Sequence, residues 1–259
     1  MTFHLALSAQ HALIAHQLLE FLGMAIGARY YLRLRRCGDG QSVLAPTHYA
    51  VLVGCLAGAA LGNKLVFWVE NPQLWAVYGQ DWRNWLGGQS MVGGLLGGLL
   101  GVELAKWLTH QTRSTGDFFV FPLLLGLMIG RVGCFLAGLH DGTYGVPTNL
   151  PWGVDFGDGQ PRHPTQLYEI IFCGLLWRGL RLWQAALATV PGLLFKSWVV
   201  AYLLWRLLVD AIKPVPYGYP GGLSGIQWIC LLALAAYLPF VWRAWRLWRT
   251  SASLESASS

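Results

Sequence analysis

The sequence predicts an all-α integral membrane protein of seven transmembrane helices, and three observations carry that prediction. Charged residues make up only 12% of the 259 residues and hydrophobic residues 55%, whereas an ordinary soluble domain carries about 25% charged residues. Apolar runs near the roughly 20 residues that cross a bilayer recur along the chain. Basic residues cluster between alternate runs, as membrane orientation requires. This composition excludes a soluble globular enzyme, a disordered chain and a coiled coil. The five cysteines are odd in number and scattered, which excludes a disulfide scaffold. The net charge of +6 does not imply a nucleic-acid partner, because the basic residues do not form one face interleaved with aromatics.

Taken in order, the runs cover residues 10–32, 46–69, 89–108, 118–138, 164–183, 192–213 and 223–242. The first is interrupted by His11, His16 and Glu20, and no basic segment precedes it, so no cleavable signal peptide is expected. Arg29, Arg33, Arg35 and Arg36 follow the first run, and Lys106 and Arg113 follow the third. Arg178, Arg181 and Lys196 lie around the junction of the fifth and sixth, and Arg243, Arg246 and Arg249 follow the seventh. The alternate loops hold only Arg83, Arg162 and Lys213. The N-terminus is therefore expected outside and the C-terminus in the cytoplasm. Residues 1–249 read as one transmembrane domain and residues 250–259, small and polar, as a disordered cytoplasmic tail. Two outer segments result, 70–88 and 139–163, and the second is rich in Gly, Pro and Asp and reads as an ordered loop of turns. The Gly93–Gly101 stretch GGLLGGLLG predicts close helix packing through small residues. No internal repeat supports an inverted-repeat transporter.

Ionisable groups inside apolar runs are the sharpest functional signal, since one charge at the bilayer centre costs about 2.5–3.5 kcal/mol on insertion scales. Glu103 reads as a local pair with Lys106. Lys64 reads either as a partner of Glu20 or as a site residue. Arg206 and Asp210, four apart, share a helix face and can pair locally. Arg131 and Arg206, in the outer halves of their runs, also suit an anionic lipid headgroup, because guanidinium stays charged and grips phosphate with two parallel hydrogen bonds. The segment Pro161 to Glu169, PRHPTQLYE, opens the fifth run, with Pro164 at the first helical position and His163 at the N-cap. Free N–H groups there favour anions, and His163 is either a solvated histidine or a chemical one.

These residues resemble a known family. GRVGCF (Gly130 to Phe135), then PWGVDF (Pro151 to Phe156), then PRHPTQLYE match the order and spacing found in prolipoprotein diacylglyceryl transferases over roughly 40 residues. The resemblance implies a bacterial inner-membrane enzyme working at the periplasmic leaflet. It would move a diacylglyceryl group from phosphatidylglycerol to the lipobox cysteine of a lipoprotein precursor and release glycerol-1-phosphate. It implies no metal and no soluble cofactor. Arg131 corresponds to the phosphatidylglycerol-binding arginine and Arg206 to a second essential arginine, while His163, Gln166, Tyr168 and Glu169 fall in the signature segment. A thiol is a weak nucleophile until deprotonated, so a base is expected. His163 is the first candidate and His140 the second.

The chain departs from the family pattern at several polar positions. Val92 stands where a histidine precedes the paired glycines. Cys134 and Ala137 replace motif asparagines, Leu139 replaces an acidic residue ahead of His140 and Asp141, and no tyrosine appears in His16 to Gly23. Cys134 lies three residues after Arg131, on the same helix face, as a small filler or as a thiol beside a cation. Two alternatives follow from these departures: a phospholipid-dependent transferase with another acceptor, and a non-catalytic phospholipid-binding protein.

Overall fold

A computed structural model describes residues 3–5, 7–38 and 46–258. Helices occur at all seven predicted runs. In chain order they are α1 (Ala9–Gly38), α2 (Pro46–Glu70), a short α3 (Pro72–Tyr78), α4 (Met91–Leu108), α5 (Val120–Ala137), α6 (Thr165–Leu182), a short α7 (Gln184–Leu187), α8 (Leu193–Asp210) and α9 (Gly225–Ser258). Among the described residues, five segments are long and apolar enough to cross a membrane: Ala9–Arg36, Tyr49–Glu70, Met91–Leu108, Gly116–Asp141 and Gly225–Thr250. Helices α6 and α8 are 18 residues each. They fall outside that group because they hold the charged residues Glu169, Arg178 and Arg181, and Lys196, Arg206 and Asp210. Helix α9 runs through residues 250–258, where a disordered tail was expected. An established helix extends at little cost through residues such as Ala, Leu and Glu.

Contacts group into two compact units, where the sequence reading drew one domain. The first comprises Met1–Gly38, Thr115–Pro214 and Pro239–Ser259, and the second Asp39–Ser114 and Val215–Leu238. Pro239, inside α9, stands at the division. There the ring removes one backbone donor.

In the second unit α2 packs against α4 through reciprocal glycines. Gly54 faces Gly101, Gly58 faces Gly97 and Gly62 faces Gly93, so the helices run antiparallel in register. A Cβ on Gly54 would lie 2.5 Å from the Gly101 carbonyl oxygen. The predicted small-residue packing is therefore present on both helices. Ser90 caps α4 by accepting from the Gly93 N–H, and the Asn63 side chain accepts from the Ser90 N–H. Trp68, Trp75 and Trp85 pack ring to ring at 5.3 and 5.6 Å.

In the first unit α5 is the hub, with α1, α6 and α8 against it. Gly23 and Gly27 on α1 approach the carbonyls of Gly126 and Pro122, where a Cβ would lie 2.8 and 3.0 Å from the oxygens. Asp117 caps α8 from outside: its carboxylate accepts from the Gly192 N–H at 2.7 Å and the Phe195 N–H at 2.9 Å. The loop after α5 is tied down by backbone bonds. Gly145 N–H donates to His163 O at 2.9 Å, Val146 N–H to Ile212 O at 2.9 Å and Thr148 N–H to Pro161 O at 2.8 Å. A small sheet adds to this. β1 (Phe3–His4) runs parallel to β2 (Val154–Asp155), which pairs antiparallel with β3 (Pro161–Arg162). Asp155 accepts from the N–H groups of Gly157 and Gly159, and both glycines take positive φ, as the turn requires.

Candidate active site

The site grows from the periodicity of three helices. On α6 the buried positions Gln166, Glu169 and Cys173 recur at three and four residues, so they share one face. On α8 the buried Tyr202, Arg206 and Asp210 recur at four. Arg131 is buried on α5. These faces meet at Glu169, which is 1% exposed. Arg131 Nε lies 2.9 Å and Arg206 Nη1 3.7 Å from Glu169 Oε2, and Tyr202 donates its hydroxyl to Oε1 at 2.8 Å. Arg206 Nη2 donates to Asp210 Oδ1 at 2.7 Å, as its spacing predicted. Lys213, beyond the end of α8, faces the same four charges.

The electrostatics follow from this inventory. Buried ions persist only when paired and hydrogen-bonded. Here two guanidinium groups meet two carboxylates, and the Lys213 amine faces all four. A phosphodiester would add one negative charge beside these basic groups. Arg206 Nε and both polar atoms of the Gln166 amide are buried without a hydrogen-bond partner among the described residues. Such groups are costly unless something polar reaches them.

The other sequence candidates are placed differently. His163 is not the N-cap: Pro164 holds that position, with α6 beginning at Thr165. The His163 ring sits 3.2 Å, Nδ1 to hydroxyl, from Tyr168, whose hydroxyl accepts from Trp152 Nε1 at 2.8 Å. With Leu150, Leu167 and Ile171 these residues line an apolar groove. His140 is exposed. Lys64 belongs to the second unit and donates to the Gly88 carbonyl at 2.6 Å. Glu20 lies 3.8 Å from His16, and Glu103 pairs with Lys106 at 3.0 Å as expected. Val92 is fully buried. Sequence reading missed Tyr202, which the four-residue spacing back from Arg206 could have found. It also missed Lys213, which had been counted only as a loop charge.

A helical membrane protein with buried arginines and carboxylates clustered on three helices, and an apolar groove on one of them, is thus defined. Its sequence matches the family described as prolipoprotein diacylglyceryl transferase over residues 7–243, and the chain belongs to that family. Among curated relatives, a phosphatidylglycerol–prolipoprotein diacylglyceryl transferase of Nitrosospira multiformis is 30% identical over 241 residues, covering 87% of this chain and 79% of the relative. Proteins of the same name from Bordetella parapertussis and Nitratidesulfovibrio vulgaris are 32% and 35% identical. They cover 74% and 71% of this chain and 73% and 68% of their own lengths.

Proposed function

We propose that this chain transfers a diacylglyceryl group from phosphatidylglycerol to the cysteine thiol of a lipoprotein precursor, releasing glycerol-1-phosphate. The convergence of Arg131 and Arg206 on one buried cluster, with Lys213 facing it, supports the reading above all else. In this scheme the phosphodiester of the lipid enters beside Glu169 and meets the two guanidinium groups. Its bond to the glyceryl carbon breaks as the thiol sulfur attacks that carbon. Charge grows on the departing phosphate, where donors already in place stabilise it most. The Gln166 amide supplies polar contacts for the headgroup, and the groove at Leu167, Tyr168 and Ile171 takes an apolar chain. His163, at the rim of that groove, is the base for the thiol proton.

Seven spans, with the N-terminus outside and the C-terminus cytoplasmic, would put this chemistry at the periplasmic leaflet of an inner membrane. The test is expression in cells depleted of their own transferase, with a reporter lipoprotein followed by gel mobility. Wild-type protein restores the lipidated band and Arg131→Ala does not. Well-folded wild-type protein that leaves the reporter unmodified refutes the assignment.

A further inference from the structure

Three side chains unused by that chemistry meet beside Arg131. His16 on α1, Cys134 on α5 and Asp141 at the end of the turn Gly138–Asp141 bring a ring nitrogen, a thiol sulfur and a carboxylate oxygen within 4.8 Å of one another. His16 Nε2 is 3.6 Å from Asp141 Oδ1. Two ligands held at about 2.0–2.2 Å by one tetrahedral cation sit roughly 3.4 Å apart, so this pair already has a ligand separation. The remaining ring nitrogen, His16 Nδ1, is buried with no hydrogen-bond partner among the described residues.

The fold builds this convergence deliberately in three places. Gly133, next to Cys134, lets the α1 backbone come in: a Cβ there would lie 3.1 Å from the His16 carbonyl oxygen and 3.3 Å from its Cα. Gly138 and Gly142 take φ of +58° and +66°, which turns the chain so that Asp141 faces inward while His140 stays exposed. The Thr143 hydroxyl donates to the other Asp141 oxygen, the kind of outer contact that orients a ligating carboxylate. Arg131 joins the two clusters, with Nε beside Glu169 and Nη1 3.5 Å from Cys134 Sγ.

We propose that His16, Cys134 and Asp141 bind one Zn²⁺ ion whose fourth position receives the acceptor thiol. The proposal rests on the transferase reading above. Imidazole with thiolate selects zinc over magnesium or calcium. Three protein ligands leave the open position of a reactive site, where a structural site would be closed by a fourth. Thiolate and carboxylate together neutralise the dication, and the charge of an incoming thiolate falls beside Arg131. A coordinated thiol loses its proton outright; that proton passes to His163 or water and on to solvent. The sulfur lone pair then forms the S–C bond to the glyceryl carbon. The C–O bond breaks with its electron pair going to the phosphate oxygen, and glycerol phosphate leaves. No redox change occurs. The metal thereby delivers a nucleophile on one side of Arg131 while the leaving group is held on the other.

The experiment uses the full chain purified in detergent, with Zn²⁺ and Co²⁺ as the probes. One zinc per chain is expected by elemental analysis, retained in Cys55→Ser and lost in His16→Ala, Cys134→Ser and Asp141→Asn. The cobalt form should show sulfur-to-metal charge-transfer absorption that shifts when a lipobox peptide is added and not when its cysteine is replaced by serine. Because ligand variants can misfold, the wild-type protein is also stripped with a chelator, checked for an unchanged helical spectrum, and reloaded. Transfer should fall at least tenfold and return with zinc. Full transfer by metal-free wild-type protein, or wild type that takes up no zinc, overturns the site and leaves the transferase reading standing. Stoichiometric metal with the thiol-dependent cobalt shift, but no lipid transfer, supports the site and overturns the transferase reading.

Discussion

Glu169→Gln isolates the role of the buried cluster. The substitution keeps shape and hydrogen-bonding capacity but removes the negative charge that Arg131 approaches at 2.9 Å and Arg206 at 3.7 Å. Both arginines are 4% exposed, so water cannot take over. Asp210 remains as a counter-charge for Arg206. Removing one partner of a buried pair costs about 3–5 kcal/mol. At the upper end this approaches the whole stability of many domains. The assay is thermal unfolding in detergent, with and without added phosphatidylglycerol. The variant should melt well below wild type, and an anionic phospholipid should stabilise it more than it stabilises wild type, because the phosphate replaces the missing carboxylate. A zwitterionic phospholipid should do less. An unchanged melting temperature would refute the claim that Glu169 neutralises the arginines. Equal stabilisation of both proteins by the anionic lipid would refute the claim that headgroup and carboxylate share one field.

Three further predictions follow from particular contacts. Arg131→Lys keeps the charge but cannot reach Glu169 and Cys134 with separate N–H groups, so transfer should fall by about 10²–10³ while the protein still folds; near-normal turnover would show that a point charge suffices. Gly97→Val should splay α2 from α4, since a Cβ there would meet the Gly58 carbonyl and lie 2.8 Å from Gly62 Cα, whereas Gly94→Ala, with nothing nearer than 3.8 Å, should be tolerated. A cost of about 1–3 kcal/mol for the first and almost none for the second would appear in melting curves, and equal costs would contradict the packing. In the loop preceding α6, the hydrogen bond from Arg162 holds the Asp158 carboxyl below its ordinary range. A lowered folded value means the loop gains stability above the unfolded carboxyl pKa of about 3.9 and loses it as pH falls through the lower folded value. Amide protection over Gly157–Arg162, taken relative to the intrinsic exchange rate at each pH, should therefore fall only in acid, and Asp158→Asn should remove that pH dependence.

How far the sequence reaches depends on the range of the interaction. Helix positions were legible because apolar runs are local, and the glycine contact was legible because its four-residue repeat lies within α4. Arg131, Arg206 and Glu169 stood out because each is a charge where lipid tolerates few, and Asp210 was found by its spacing from Arg206. The misses are non-local. Asp117 caps a helix that begins 76 residues later, at Leu193. His16 meets Cys134 and Asp141 only because Gly133 admits α1, and nothing in the local pattern of any of the three reveals the others. His163 was misplaced by one position, since a proline can serve as the cap itself as well as the first helical residue.

The charges on α6 and α8 bear on how the protein is made. Inserted alone, each helix would expose its buried ions to hydrocarbon at a cost of a few kcal/mol per charge. Those ions become neutral as a set only once Arg131, Glu169, Arg206 and Asp210 are together. In the proposed seven-span arrangement, entry of these segments into the bilayer would be coupled to their assembly with α5, and a nascent chain lacking that partner should be retained by the insertion machinery or degraded. The residues that would grip the donor lipid would also act as a checkpoint in biogenesis.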